Sequence, residues 1–323
     1  MKRRDFIKVS AALAASTALP WPTTAEAALE SLRVIAPAGP GGGWDQTARA
    51  IEEVVRAKNL AGAVSVENVP GAGGTIGLAQ LAAKEAGDAK VLMVMGLVMV
   101  GAILTNQSPA TLEQSTPIAR LTGEYEVVVV PAASELKSMA DLVTKLKADT
   151  AAVSFGGGSA GGTDHILAGL IANAAGADVT KLNYIPYSGG GEALAAILGG
   201  HVSAGISSFS EWEGQIKSDE LRVLAISSAE KLEGLDAPTL KEQGLDIELA
   251  NWRGVIAPPG LDDAGKAALL DLVKQVHDSA EWQKILADKK WTDLYLAGDE
   301  FAALVVEENK RTTEILKGIG LVQ

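Results

Sequence analysis

Four glycine-rich turns punctuate the chain: PGGGWD at 40–45, PGAGG at 70–74, GGGSAGG at 156–162 and SGGGE at 188–192. Short apolar runs and stretches of helical periodicity alternate with these turns, the pattern of βα units, which predicts a mostly parallel sheet. The turns form two pairs of matched spacing, 30 residues from Gly41 to Gly71 and 31 from Gly158 to Gly189. Each interval holds one amphipathic stretch (TARAIEEVVRA, then HILAGLIANAA) and one strand. Two α/β lobes are therefore expected, with ligands at the C-terminal ends of their strands. YEVVVVP (125–131) and LANWRGVIAPP (249–259) are the expected crossovers, a two-strand hinge that permits closure. Lobe 1 then comprises 28–130 with 253–323, and lobe 2 comprises 131–252. Residues 262–291 and 298–316 read as helices with no strand of their own, packed back on lobe 1.

The first 27 residues stand apart. KRRDFIK is a charged start, VSAALAASTAL a mildly apolar run, and Ala25–Ala27 a small-residue cleavage site, which together read as a cleaved signal peptide. Paired Arg3 and Arg4, with Phe6 and Lys8 behind them, look like a twin-arginine signal. A periplasmic protein, exported already folded, is expected. Losing that basic segment makes the mature chain more acidic still than the full chain's net charge of −12, which excludes nucleic acid as a natural partner. Zero cysteines remove disulfides and thiolate chemistry together. VLMVMGLVMVGAIL (91–104) is 14 residues long with internal glycine, so it predicts a buried strand running into a core helix, not a membrane span.

None of the glycine turns is a cofactor loop. A phosphate loop needs Lys-Ser/Thr after its last glycine, and the dinucleotide fingerprint fails at Ile76. The three histidines are too scattered for a metal site. Gly157-Gly158-Ser159-Ala160-Gly161 is a literal G-x-S-x-G between a strand and a helix, so an exported serine hydrolase is the alternative reading. It lacks an evident base. His277, which follows in the expected order, belongs to an ordinary amphipathic stretch, and two further glycines separate Ser159 from the helix.

What the loops offer is backbone. Helix N-termini present free N–H groups and the positive end of the dipole, which suits a small carboxylate. The expected site, with no catalytic residue, metal or cofactor, comprises Gly41, Gly42, Gly43, Trp44 and Asp45 from the first loop, and Gly73 and Gly74 from the second. The third loop adds Ser159, Gly162 and Thr163, the fourth adds Ser188, Gly189 and Gly190, and Ser207 and Ser208 supply hydroxyls. Trp44 would wall the cleft, and Asp45 would act as a helix cap or orient the ligand. No lysine stands in these loops, so no fixed cation is expected at the site.

These residues also resemble a family, the solute-binding proteins of tripartite tricarboxylate transporters (the TctC or Bug family). Pro37, Gly41, Gly42, Asp45, Ala48 and Arg49 match its first loop, and Asn68-Val69-Pro70-Gly71-Ala72-Gly73-Gly74 with Gly77 matches its most specific motif. Pro186-Tyr187-Ser188-Gly189, Leu221-Arg222 with Leu224-Ala225, and Trp252–Pro258 extend the likeness over nearly all of the mature chain. Ala38, Ile166, Leu170 and Asp88–Val91 depart from it. The resemblance implies a two-lobed type II periplasmic binding fold that closes on a carboxylate. It also implies delivery to large and small membrane permease subunits driven by an ion gradient, so no nucleotide is expected. A monomer is expected. GGGWDQTAR with ANWRG is more similar to the tricarboxylate-binding members, which makes citrate or a relative the expected ligand.

Overall fold

A computed structural model describes residues 29–232 and 234–322; the expected signal peptide lies outside the described residues. The chain begins with β1 (Leu32–Ala36), α1 (Gly43–Lys58), β2 (Val64–Asn68), α2 (Thr75–Lys84), β3 (Val91–Gly96) and α3 (Leu97–Thr105). A long strand, β4 (Thr116–Pro131), leads to α4 (Met139–Ala148), β5 (Ser154–Gly157), α5 (Thr163–Ala174), β6 (Asn183–Pro186) and α6 (Gly190–Leu198). Then come β7 (Ala204–Ser208), α7 (Phe209–Lys217) and β8 (Leu221–Ile226). The return strand β9 (Ala250–Ala257) is followed by α8 (Asp263–His277), α9 (Ala280–Lys289), β10 (Thr292–Ala297) and α10 (Gly298–Gly318).

α1 shows why the repeated units form. Ala48, Ile51 and Val55 recur at helical spacing and are buried, each large aliphatic side chain contributing about 1.5–3 kcal/mol. The helix stops at Asn59, which adopts the left-handed conformation (φ 54°) and whose N–H caps the last carbonyls. β3 is buried along its whole length and runs directly into α3, and no helix among the described residues is long and apolar enough to cross a membrane.

The sheet is mixed, not mostly parallel. Within the strand–helix units the pairing is parallel: β1 with β2 and β3 in lobe 1, and β5 with β6 and β7 in lobe 2. The crossover strands account for the difference. β4 runs from lobe 1 to lobe 2 and β9 runs back, so the two lie antiparallel, and β4 is also antiparallel to β7, β8 and β10. β4 pairs with β9 from Thr116 to Tyr125 and with β7 and β8 from Glu126 to Pro131. One strand thus belongs to both lobes.

The C-terminal block also departs from expectation, because it contains a strand. β10 (TDLYLA) adds to β4, where Arg120 Nε donates to the Leu294 carbonyl at 2.7 Å and Thr122 Oγ1 to that of Thr292 at 3.0 Å. The block does pack on lobe 1, α10 lying against β4 and α3, and α9 against α1.

Candidate functional site

The loops at the C-terminal ends of the parallel strands face one another across a cleft of about 780 Å3. From lobe 1, Gly41, Gly42, Gly43, Trp44, Gly73 and Gly74 line it. From lobe 2 come Ser159, Ser188, Gly189, Gly190, Ser207 and Ser208. The first two loops pack tightly. Gly74 sits at φ +87° with the Trp44 ring 2.7 Å from where a Cβ would stand, so only glycine lets the indole close that wall.

Three expected residues do not line the cleft. Asp45 is 2% exposed and faces its own loop, accepting from Gly41 N–H at 2.8 Å, Arg49 Nε at 2.9 Å and Asn68 Nδ2 at 2.8 Å. Burial alone would raise its pKa, but those three donors hold the carboxyl below the ordinary value. Gly42, not Asp45, is the N-cap of α1, so Asp45 ties the first loop to the end of β2. Gly162 is the N-cap of α5 and hydrogen-bonds back to the Ser159 carbonyl at 2.9 Å. Thr163, the next residue, is fully buried with no partner for its Oγ1. Both lie behind the loop whose tip, at Ser159, meets the cleft.

The site is also less purely backbone than expected, because the chain's own carboxylates already accept from several loop amides. Asp45 takes Gly41 N–H, Asp164 takes Gly158 N–H at 2.6 Å and Glu192 takes Ser188 N–H at 3.2 Å. Nor does the site lack a fixed cation. Arg253, on β9 and 2% exposed, lines the cleft, with its guanidinium against Gly43 where any Cβ would collide with it. Its Nη1 lies 2.6 Å from Glu124 Oε1.

Around Arg253 gather four acids from three elements: Glu124 and Glu126 on β4, Asp164 on α5 and Glu211 on α7. Burial opposes the charge of Arg253, but Glu124 and Glu211 outweigh it and hold the guanidinium charged. Burial pushes the Asp164 carboxyl up to about 7, with the charge of Glu211 adding to the rise and the Gly158 N–H opposing it. Glu126, wholly buried, is raised well above the carboxylate range by burial and then by Asp164, Glu124 and Glu211. Burial and then Glu124 raise Glu211, while the Ser207 hydroxyl, Arg253 and the Gly43 N–H pull it back. Ser207 Oγ donates to Glu211 Oε2 at 2.7 Å, and Ser210 Oγ to Glu124 Oε2 at 3.0 Å.

None of these charges was among the expected site residues, although each left a trace. Arg253 is a lone cation in the apolar run ANWRGVIA, and Glu124 and Glu126 flank Tyr125 in a strand that is otherwise valine-rich. A charge placed where the pattern calls for burial marks a site.

The histidines are engaged elsewhere. His165 stacks on Tyr184 with ring centroids 4.0 Å apart, accepts Gly161 N–H at its Nδ1, and is pushed down to about 4 by burial. His277 lies between Asp278 and Asp293 in the C-terminal block. Among the described residues, no histidine hydrogen-bonds Ser159, and no group of three or more His, Asp or Glu is placed to hold a metal.

Comparison with known proteins agrees with this architecture. The family profile described as tripartite tricarboxylate transporter family receptor matches residues 47–321, and that of the twin-arginine translocation pathway signal sequence matches residues 1–20. The UPF0065 protein in the TAR-I ttuE-ttuC' intergenic region of Agrobacterium vitis is 30% identical, over 81% of this chain and 78% of its own. Among solved structures, the periplasmic binding protein BugD superposes with a TM-score of 0.80 at 22% identity, over 90% of this chain and 98% of that one. MatC from Rhodopseudomonas palustris with bound malate gives 0.76 at 23% identity, over 88% and 98%.

Proposed function

Because the chain belongs to the tripartite tricarboxylate transporter receptor family, we propose that it captures a small organic carboxylate in the cleft and hands it to the large and small permease subunits of such a transporter. It is a periplasmic solute-binding protein, not an enzyme, exported on a twin-arginine signal. The observation that carries the carboxylate reading is convergence: four glycine loops far apart in sequence, with Ser207 and Ser208, line one cleft between helix N-termini. MatC, of the same fold, binds malate. The ligand-binding residues we assign are the twelve expected residues that line the cleft, joined by Arg253. The lobes we assign are 28–130 with 253–323, and 131–252, and they close as a monomer about β4 and β9.

Citrate is the poorer fit within that class. Asp164 and Glu211 line the same cleft, and Arg253 is the one cation among its described lining residues, so a third carboxylate of the ligand would face acids with no cation to pair it. A mono- or dicarboxylate leaves less charge unpaired. The experiment is a thermal-shift screen of the mature protein against a panel of organic acids. A ligand at 100 times its Kd adds about 2.7 kcal/mol of stability and raises the midpoint. A panel in which no carboxylate moves the midpoint would refute the reading.

A further inference from the structure

The cleft holds more carboxyl groups than a site for anions calls for. Asp164 and Glu211 line it, with Glu124 and Glu126 beside them, and Arg253 is the one cation that faces this group. That cation is committed to Glu124, 2.6 Å away. Carboxylates withdrawn from water are costly unless paired. Among the described residues four carboxyls share the Arg253 guanidinium, and three of them, Asp164, Glu126 and Glu211, are raised by burial and by one another, so the side formed by α5 and α7 would gain from a donor that carries positive charge.

Unpartnered acceptors are an independent sign. Asn251 lines the cleft and is 8% exposed; its Nδ2 lies 3.5 Å from Ser208 Oγ, and its Oδ1 has no donor. Glu126, wholly buried behind that wall, also has no donor to its Oε2, so Asn251 Oδ1 is the acceptor a ligand can reach. A carboxylate ligand brings only acceptors and relieves neither atom. An ammonium brings three donors and a positive charge. Among the described residues no three His, Asp or Glu stand together as metal ligands, which points to an organic cation.

We propose that the ligand carries, beside its carboxylate, a cationic nitrogen that sits against Asp164 and Glu211, so that its net charge is zero or positive. The carboxylate end meets the glycine loops and Arg253, and the nitrogen end meets the acids of α5 and α7 and the Asn251 amide oxygen. The inference rests on the carboxylate reading above and adds to it the polarity of the cleft. It makes Asp164 and Glu211 the residues that select a zwitterion or a cation over a plain organic anion.

The test uses ligands matched in everything but the nitrogen. The twenty protein amino acids, with 4-aminobutanoate and 4-guanidinobutanoate, are compared with their amine-free analogues on the mature protein, first by thermal shift and then by calorimetry. The best aminated ligand is expected to bind at least tenfold more tightly than its amine-free partner, and Asp164→Asn and Glu211→Gln should each remove most of that preference. Equal or tighter binding of the amine-free acids would overturn the inference and leave the carboxylate reading standing, with the cleft acids neutralised by protons. Failure of both sets to bind would overturn both. The comparison within the unsubstituted protein stands even if either variant folds poorly.

Discussion

Substituting Asp164 by asparagine should make the ligand-free protein more stable at neutral pH. The carboxyl is 8% exposed, and its pKa rises from 3.8 to about 7 on folding, chiefly through burial and then through Glu211. Between those values the folded state keeps a proton that the unfolded chain has released, so this site lowers stability as pH rises and its full cost is present above pH 7. The rise corresponds to a ceiling of about 4 kcal/mol at about 1.4 kcal/mol per pH unit, a ceiling because Glu126 and Glu211 share the same repulsion. Asparagine keeps an oxygen to accept Gly158 N–H and carries no charge. The assay is urea unfolding of ligand-free wild type and Asp164→Asn at pH 5 and pH 8. The expected gain for the variant is larger at pH 8 than at pH 5 by about 2–3 kcal/mol. Taking the difference between the two proteins cancels titrating groups that do not interact with Asp164, such as His165, whose shift comes from burial. A gain independent of pH, or a variant less stable than wild type at pH 8, would refute the electrostatic account of the cleft.

Gly42→Ala should lower ligand affinity about tenfold by calorimetry while moving apo stability by no more than about 0.5 kcal/mol, since φ is −69° and the new methyl meets nothing closer than 3.5 Å; unchanged affinity would remove Gly42 from the contact surface. Gly73→Ala should behave differently and lose about 1–3 kcal/mol of stability in urea, because φ is +61° and the methyl collides with that of Ala102. His165 is held neutral down to about 4 whereas the unfolded imidazole protonates near 6.5, so its contribution to stability is lost as pH falls through that window. His165→Gln should therefore show a shallower fall in thermal midpoint between pH 7 and pH 4.5, and an identical fall would contradict this. Arg253→Met should cost about 3–5 kcal/mol at pH 7 by leaving Glu124 buried and unpaired; a neutral effect in urea unfolding would show that the pair is not what holds the crossover.

The repeated units were legible because their signals are local. Glycine turns such as PGGGWD, and a stripe such as Ala48, Ile51 and Val55, declare themselves within a few residues. β10 was not, since Thr292–Ala297 becomes a strand by finding an edge of β4 some 170 residues earlier in the chain. The antiparallel share of the sheet was hidden for the same reason: the direction of β9 against β4 depends on which lobe each strand leaves. At the site, membership of a loop was readable and facing was not. Asp45 follows Trp44 by one residue, yet one step along a helix turns the side chain by about 100°, which puts the indole in the cleft and the carboxylate behind it. The acids around Arg253 were visible one at a time as charges in apolar strands or first helical turns, but their meeting is a property of the folded chain.

The strand shared by both lobes dictates when the protein can be finished. The lobe 1 sheet is complete only after β9 and β10 have reached β4, through contacts such as Arg120 to Leu294 across 174 residues. A nascent chain leaving the ribosome therefore carries an open-edged half-sheet until Thr292–Ala297 has been released, whereas in lobe 2 β5 meets β6 across 29 residues and β7 across 49. Folding of lobe 1 waits on the closing of long loops, which is a slow step. A secretion channel that threads extended polypeptide would have to intercept the chain before that step. The twin-arginine route, whose signal occupies the N-terminus, carries cargo that has already folded and leaves time for the last strand to arrive.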